Sequence, residues 1–399
     1  MGTFSLAPDQ LTWCAELRAL AEHDLAPLAE QGAPDRVNRP LVAALGRLGL
    51  LERLFTSGAL DLCLMRESLA RICTEAETAL ALQGLGAHPV HAYGTKEQRA
   101  RWLPEVVAGR AVAAFALSEP GAGSDAAALT LRARRDGAGW RLTGEKYWIS
   151  NAPEADFYTL FARTGPAPGA AGITAFLVPA DRPGLSGDHL DMLAPHPIGS
   201  LVLDGVPVGE EDVLGEPGGG FRVAMRTLNL FRPSVGAFAV GMAQAALDAT
   251  LAHTARREAF GGPLSDLQAV AHQVADMALG VESARLMVYA AAAAYDEGAG
   301  GVGSAGAEGA ARGGTGGGDA EGVARRAAMA KLLATETAQR VVDTAVQLHG
   351  ARALRSGHLL EHLYREVRAP RIYEGASEVQ RAVIARELYK QQARQEASR

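Results

Sequence analysis

The chain is poor in cysteine, with three residues in 399, at positions 14, 63 and 73. Their number is odd and their spacing fits no metal site. That excludes a disulfide framework and a zinc module, and it points to a reduced, cytoplasmic compartment. Aromatic residues make up only 6%. No run of about 18 consecutive apolar residues occurs, so no membrane span is expected. The N-terminus, "MGTFSLAPDQLTWCAELRALAEHD", lacks both a basic start and an apolar core, so neither a signal nor a transit peptide is expected. A basic excess is missing too: 39 Lys+Arg against 45 Asp+Glu give a net charge of −6. This balance argues against a general nucleic-acid binder. The acidity is uneven, because residues 323–399 hold 14 Lys/Arg and 8 Asp/Glu. That stretch suits either bound phosphates or a solvated helical face. With 48% hydrophobic and 21% charged residues, the composition is that of a soluble globular protein of two or three domains.

Three compositional zones follow one another. Residues 1–112 read as an N-terminal α-helical domain, since "LTWCAELRALAEHDLAPLAE" and "RPLVAALGRLGLLERL" carry apolar residues at three- and four-residue spacing. "TKEQRARWLPEVVAG" reads as a capped short helix, with Thr95 as N-cap and Glu97 close behind. Residues 113–220 change period. "AVAAFALSE", "DFYTLFART", "GITAFLVPA" and "GSLVLDGVPV" are short alternating or β-branched segments, and "RDGAGW" is a hairpin signal. They predict an antiparallel β-barrel domain. Residues 221–399 return to helix, at 221–257, 266–295, 323–348, 358–368 and 376–391, which predicts a C-terminal four-helix bundle. Within it, the Gly/Ala-rich run 297–322 reads as a disordered loop. The fold class expected is therefore α+β, in the order α, β, α. No Gly-rich turn between strand and helix marks a dinucleotide fold.

Chemistry concentrates in two stretches. In "AFALSEPGAGSD", Pro120, Gly121 and Gly123 force an irregular loop whose amides are free to face a ligand, with hydroxyls at Ser118 and Ser124. A polar turn is the plain alternative. Downstream, "KYWISN" sets Trp148 and Ser150 at a strand end, where Trp148 is either core or a platform for a planar ring. In "RIYEGASEVQR", Glu374 stands just before a glycine that breaks a helical pattern. Taken alone it is a solvated helix end.

Together, "FALSEPGAGSD", "LTGEKYWISN", "ARREAFGGPLSDLQ", "AVQLHGA" and "YREVRAPRIYEGASEVQR" resemble the acyl-CoA dehydrogenase family, in order and spacing, over residues 10–391. The resemblance implies FAD, a homotetramer or dimer, an acyl thioester substrate and an electron-transfer flavoprotein as acceptor. It implies that Phe115, Leu117, Ser118, Gly123, Ser124, Trp148, Ile149 and Ser150 hold the flavin half of FAD, with Ser124 also near the thioester. Arg257, Phe260 and Gln268 match a segment reaching a neighbour's FAD, where the Arg257 fork suits pyrophosphate. Gln347, Gly350 and Ala351 match a stretch holding the adenosine half. Ala376 and Glu378 complete the cofactor set, while Asn229, Arg232 and Gly375 match the substrate region. Glu374 matches the catalytic base. Some relatives carry that base on an earlier helix, at a position occupied here by Phe231, which accepts no proton.

The chain departs from the family pattern at several points. Ala351 and Ala376 stand where glycine and threonine are usual, and Asn229 replaces a frequent aspartate. "LFTSGALDL" replaces a Pro-Glu-Glu-Tyr-Gly-Gly loop, and "LAPHPIGSLVLDG" lacks the usual Gly-x-Arg. An oxygen-using oxidase or monooxygenase on the same fold, action on a carrier-protein thioester, and a nucleic-acid-binding relative are the competing readings. A monooxygenase needs no base like Glu374, and the tail "QQARQEASR" is too short for a DNA-binding domain.

Overall fold

The computed structural model describes residues 6–298 and 319–397. Its N-terminal part is helical: α1 (Pro8–Leu20), α2 (Ala26–Glu30), α3 (Arg39–Arg47), α4 (Leu50–Thr56), α5 (Ala59–Ala70), α6 (Thr74–Tyr93) and α7 (Lys96–Val107), with a π-helical turn at Ala21–Leu25. The apolar periodicity of "RPLVAALGRLGLLERL" is split into α3 and α4 by Gly49, at φ +73°. Glycine alone takes that backbone without a Cβ penalty. Thr95 caps α7 through a capping box. Its partner is Gln98, not Glu97: Gln98 N–H donates to Thr95 Oγ1 at 3.2 Å, and Thr95 N–H donates to Gln98 Oε1 at 2.7 Å.

Eight strands follow: β1 (Ala113–Ala116), β2 (Arg132–Asp136), β3 (Gly139–Ser150), β4 (Phe157–Arg163), β5 (Ile173–Pro179), β6 (Leu185–Ser186), β7 (Ile198–Val208) and β8 (Val213–Leu214). Their order is β6-β7-β3-β2-β4-β5-β8, with β1 added on β4. The "RDGAGW" hairpin joins β2 to β3 through Gly137 at φ +59°, with Asp136 paired to Gly139. Pairing is antiparallel except at β4, which takes β1 and the start of β2 in parallel. Gln83 of α6 ties the helical part to this sheet. Its amide donates to Ala111 O and accepts from Ala113 N–H, both at 2.7 Å.

The C-terminal helices are α8 (Gly220–Arg256), α9 (Gln268–Gly298), α10 (Asp319–His349), α11 (Leu359–Glu366) and α12 (Ser377–Ala397). Helices α8, α9 and α10 share one core with α5, built around Phe238, Met242, Val281, Val288, Val342 and many alanines. The expected disordered loop at 297–322 lies outside the described residues over 299–318. Its ends are helix: Glu297 and Gly298 close α9, and Asp319–Gly322 open α10. By length and composition alone, α8 and α9 are apolar enough to cross a membrane. Alanine raises their average hydropathy without making a continuous apolar run. The most apolar window of α8 is 72% buried, and that of α9 is 44% buried.

Candidate active site

The loop between α11 and α12 carries Glu374 in a left-handed conformation, φ +51°, followed by Gly375 at φ +97°. A non-glycine residue there costs on the order of 1–3 kcal/mol and persists only when its surroundings hold it. Three side chains do so. Arg232 of α8 donates from Nε to Glu374 O at 3.1 Å, and Gln380 of α12 donates from Nε2 to Glu374 O at 3.1 Å and Gly375 O at 2.8 Å. Lys331 of α10 donates from Nζ to Gly375 O at 2.8 Å. Asn229, one helical turn before Arg232, accepts from Arg232 Nη1 at 3.1 Å and fixes the guanidinium fork.

The Glu374 carboxylate is mounted, not paired. Its Oε2 is shut off from solvent and has no hydrogen-bond partner among the described residues, although the residue as a whole is only half-buried. Burial drives this carboxyl above its ordinary range, against the opposing pull of Arg66, Arg232 and Lys331. A desolvated carboxylate is a stronger base than one in water. Arg66 itself is buried in an ion pair with Glu77 of α6 and donates from Nη1 to Ser234 Oγ at 2.7 Å. Beside Glu374, burial raises the Tyr373 phenol far above its ordinary value. Phe231, expected at an alternative base position, is fully buried, edge-on to His88 at 6.1 Å. A Cβ on Gly84 would stand 2.9 Å from that ring.

A second group forms around β1 and β3. The β3–β7 register shifts between Lys146 and Ile149, and Trp148 takes φ +61° within that bulge. The bulge re-aims one side chain out of the sheet, leaving Trp148 52% exposed while Ile149 is buried. Ser150 follows, its hydroxyl 3.0 Å from His196 Nε2. Facing them, Phe115 packs half-buried on Phe161, Leu117 is buried, and Ser118 O accepts from Tyr147 N–H at 3.0 Å. Beyond it, Gly123 and Ser124 are exposed, and a Cβ on Gly121 or Gly123 would meet nothing within 4 Å.

What fixes this loop escaped sequence reasoning. Lys146, wholly buried, donates from Nζ to Leu117 O and Glu119 Oε1, both at 2.9 Å. Glu119 also accepts from Thr130 N–H at 2.6 Å, Thr130 Oγ1 at 3.0 Å and Leu131 N–H at 3.0 Å. Burial works to raise its carboxyl, but Lys146 and the two amides outweigh it and leave it below the usual range. A lysine in the middle of a strand and a glutamate before Pro-Gly were the only signals available.

The remaining predicted residues lie at helix ends. Arg257 and the segment after Gln347 border a cleft of about 740 Å³ that also presents His253, His349, His358 and Arg352. His253 and His349 stack at 4.1 Å there. Gly350 has φ +65°, whereas Ala351 lies in the 3-10 turn Gly350–Leu354 without a positive φ, so its methyl meets no backbone strain. Phe260, at φ +55° in the turn joining the paired segments Glu258–Ala259 and Gly262–Pro263, is 92% exposed. Gln268 is exposed at the start of α9, Ala376 is half-buried, and Glu378 is exposed in the first turn of α12 beside Arg381. Among the described residues, no cluster of three His, Cys, Asp or Glu could hold a metal.

Comparison with known proteins meets this geometry along the whole chain. Residues 7–110 match the N-terminal domain of acyl-CoA dehydrogenases, 114–206 the middle domain and 218–389 the C-terminal domain. The chain belongs to the acyl-CoA dehydrogenase family. It is 37% identical over 385 residues to a mitochondrial short-chain specific acyl-CoA dehydrogenase of Bos taurus, covering 94% of this chain and 88% of that protein. A probable acyl-CoA dehydrogenase of Mycobacterium leprae is 35% identical, covering 96% of each. The solved butyryl-CoA dehydrogenase of Megasphaera elsdenii superposes with a TM-score of 0.85 at 30% identity, covering 97% of this chain and all of that one. Acyl-CoA dehydrogenases are flavoprotein oxidoreductases acting on CH–CH bonds of acyl-CoA, and this chain shares their helical ends and central sheet.

Proposed function

We propose that this acyl-CoA dehydrogenase removes the α-proton of an acyl thioester with Glu374. The single observation that carries the reading is the buried, unpartnered Oε2 of Glu374 on a backbone clamped by Arg232, Gln380 and Lys331. An α-proton beside a thioester is weakly acidic, so its removal needs a positioned base and stabilisation of the developing enolate. Phe231 offers no second carboxylate at the alternative position. The exposed Trp148 indole, the Ser118 and Ser124 hydroxyls and the open backbone at Gly121 and Gly123 suit a large planar ring with polar edges, which is the fit FAD requires. Bound FAD supplies the acceptor for the hydride that leaves the β-carbon. Trp148 and Ser150 would flank its ring and Ser118 would meet its polar edge, whereas the buried Ile149 side chain turns away from it; Gln347, Gly350 and a neighbour's Arg257 would hold the phosphate and adenosine half.

The exposed Phe260, Leu354 and Leu279, at 92%, 70% and 68%, support assembly with further copies, as a dimer or tetramer. An electron-transfer flavoprotein as acceptor and a cytoplasmic location, the latter in keeping with three free buried thiols, belong to the same proposal. The test is Glu374→Gln. Glutamine keeps the size and the backbone N–H, so FAD and thioester binding should persist, while flavin reduction under anaerobic stopped flow should fall by at least about 10²–10⁴, the usual worth of a positioned base. The substrate panel starts with short straight-chain acyl-CoAs, for which the similar proteins are named. Reduction within roughly tenfold of wild type, less than a general base normally contributes, would remove Glu374 from this role.

A further inference from the structure

We propose that Lys331 is the positioning residue for the base: its ammonium on the Gly375 carbonyl holds the Glu374–Gly375 turn at its catalytic height. The inference rests on Glu374 being that base. Lys331 sits on α10 with its side chain wholly buried, an arrangement that needs a compensating partner. Its ammonium donates to Gly375 O at 2.8 Å, the carbonyl immediately after the base. The same helix grips both flanks of the loop through Glu336, which accepts from Arg371 Nε at 3.1 Å on one side and from Ser377 Oγ at 2.6 Å on the other. Lys331 therefore holds the crest of an arch whose two feet Glu336 holds. The arch is strained, with consecutive positive φ values at Glu374 and Gly375. Without the charge at its crest the turn keeps only the neutral Gln380 amide on Gly375 O and relaxes toward ordinary backbone angles, carrying the carboxylate with it. Displacing a reacting group by about 1 Å can cost on the order of a hundredfold in rate.

The groups that face the ammonium come from every element around it: Glu374 on the loop, Arg232 on α8, Glu336 on α10 and Glu378 on α12. Burial first, and Arg232 in addition, bring Lys331 down to about 8, against the three carboxylates. Its charge is therefore present below that pH and lost above it, so wild-type flavin reduction should decline through about pH 8.

The test uses the FAD-loaded enzyme with its best acyl-CoA, comparing wild type, Lys331→Met and Lys331→Arg, with Glu374→Gln as control. Three quantities are read: anaerobic flavin reduction against pH, KM, and exchange of the thioester α-proton in D2O. The exchange reports the base without requiring hydride transfer. Lys331→Met should slow reduction and exchange together by roughly tenfold to a hundredfold, with KM and flavin content close to wild type. Its residual rate should show no decline at pH 8. Lys331→Arg, charged well past pH 12, should recover much of the rate and shift the decline out of range. Wild-type rates in Lys331→Met overturn the proposal. If that variant does not fold, a Lys331→Arg enzyme that still declines near pH 8 overturns it instead. An active Glu374→Gln enzyme would refute the base assignment, whereas an inactive one alongside a normal Lys331→Met would refute only the role of Lys331.

Discussion

Replacing Lys146 by methionine isolates what holds the loop at Leu117–Ser124. The side chain is fully enclosed, so no solvent can substitute for it. The substitution removes two charge-assisted hydrogen bonds, to Leu117 O and Glu119 Oε1. Leu117 O then lies buried without that donor, at about 1–3 kcal/mol. Glu119 keeps only Thr130 and Leu131 around a buried charge. Breaking one side of a buried pair costs roughly 3–5 kcal/mol in all. The charge left behind accounts for most of that, so adding Glu119→Gln to Lys146→Met should recover part of the loss. Urea unfolding at fixed protein concentration and fixed excess FAD measures the change, since bound cofactor itself shifts apparent stability. The flavin-to-protein ratio after gel filtration measures the loop. A loss under about 1 kcal/mol, the scale of an exposed pair, with an unchanged flavin ratio would show that the Lys146–Glu119 pair does not anchor this loop.

Two further outcomes are expected. Arg257→Ala should lower the flavin-to-protein ratio after gel filtration, because one charge-assisted phosphate contact is worth about 1.5–3 kcal/mol; an unchanged ratio with unchanged assembly removes Arg257 from the cofactor site. Glu366, buried near Glu75 and Glu77, has its carboxyl pushed up to about 8 by burial and then by those two acids. The native state keeps its proton while the unfolded chain releases it near the ordinary carboxylate value of about 4.3. Stability from this group is thus complete below that value and is lost as pH rises through about 8. Glu366→Gln should therefore flatten the fall of the melting temperature between pH 5 and 8.5. Parallel melting curves for the two proteins would refute the buried-acid account.

The order of helix, sheet and helix was legible because each zone carries its own period, and the hairpin at Gly137 because its turn chemistry is local. Glu374 was legible only through the motif around it; periodicity treats it as a helix end. Lys331, Gln380, Lys146 and Glu119 were not legible as a set. Each looks ordinary in its own segment, and each acquires meaning from a partner on another element, as Lys331 does from a carbonyl 44 positions away. Trp148 was ambiguous for a related reason. Whether it is core or platform depends on a register shift against β7, and no local pattern encodes that shift.

The contact between Gly84 and Phe231 bears on the routes by which such an enzyme can change. A descendant that moved its base to position 231 would need a glutamate where an aromatic ring now fills a space bounded by Leu54 and a backbone with no side chain. The smaller acid would leave a void, and its charge would lie in the apolar cluster of Leu45, Leu54, Leu69 and Leu80. Conversely, any side chain gained at Gly84 would have to displace Phe231 first. The two positions are therefore sterically coupled, and a change at either calls for a compensating change at the other. A carboxylate at position 231 would thus have to be built against the packing that Gly84 and Phe231 now share.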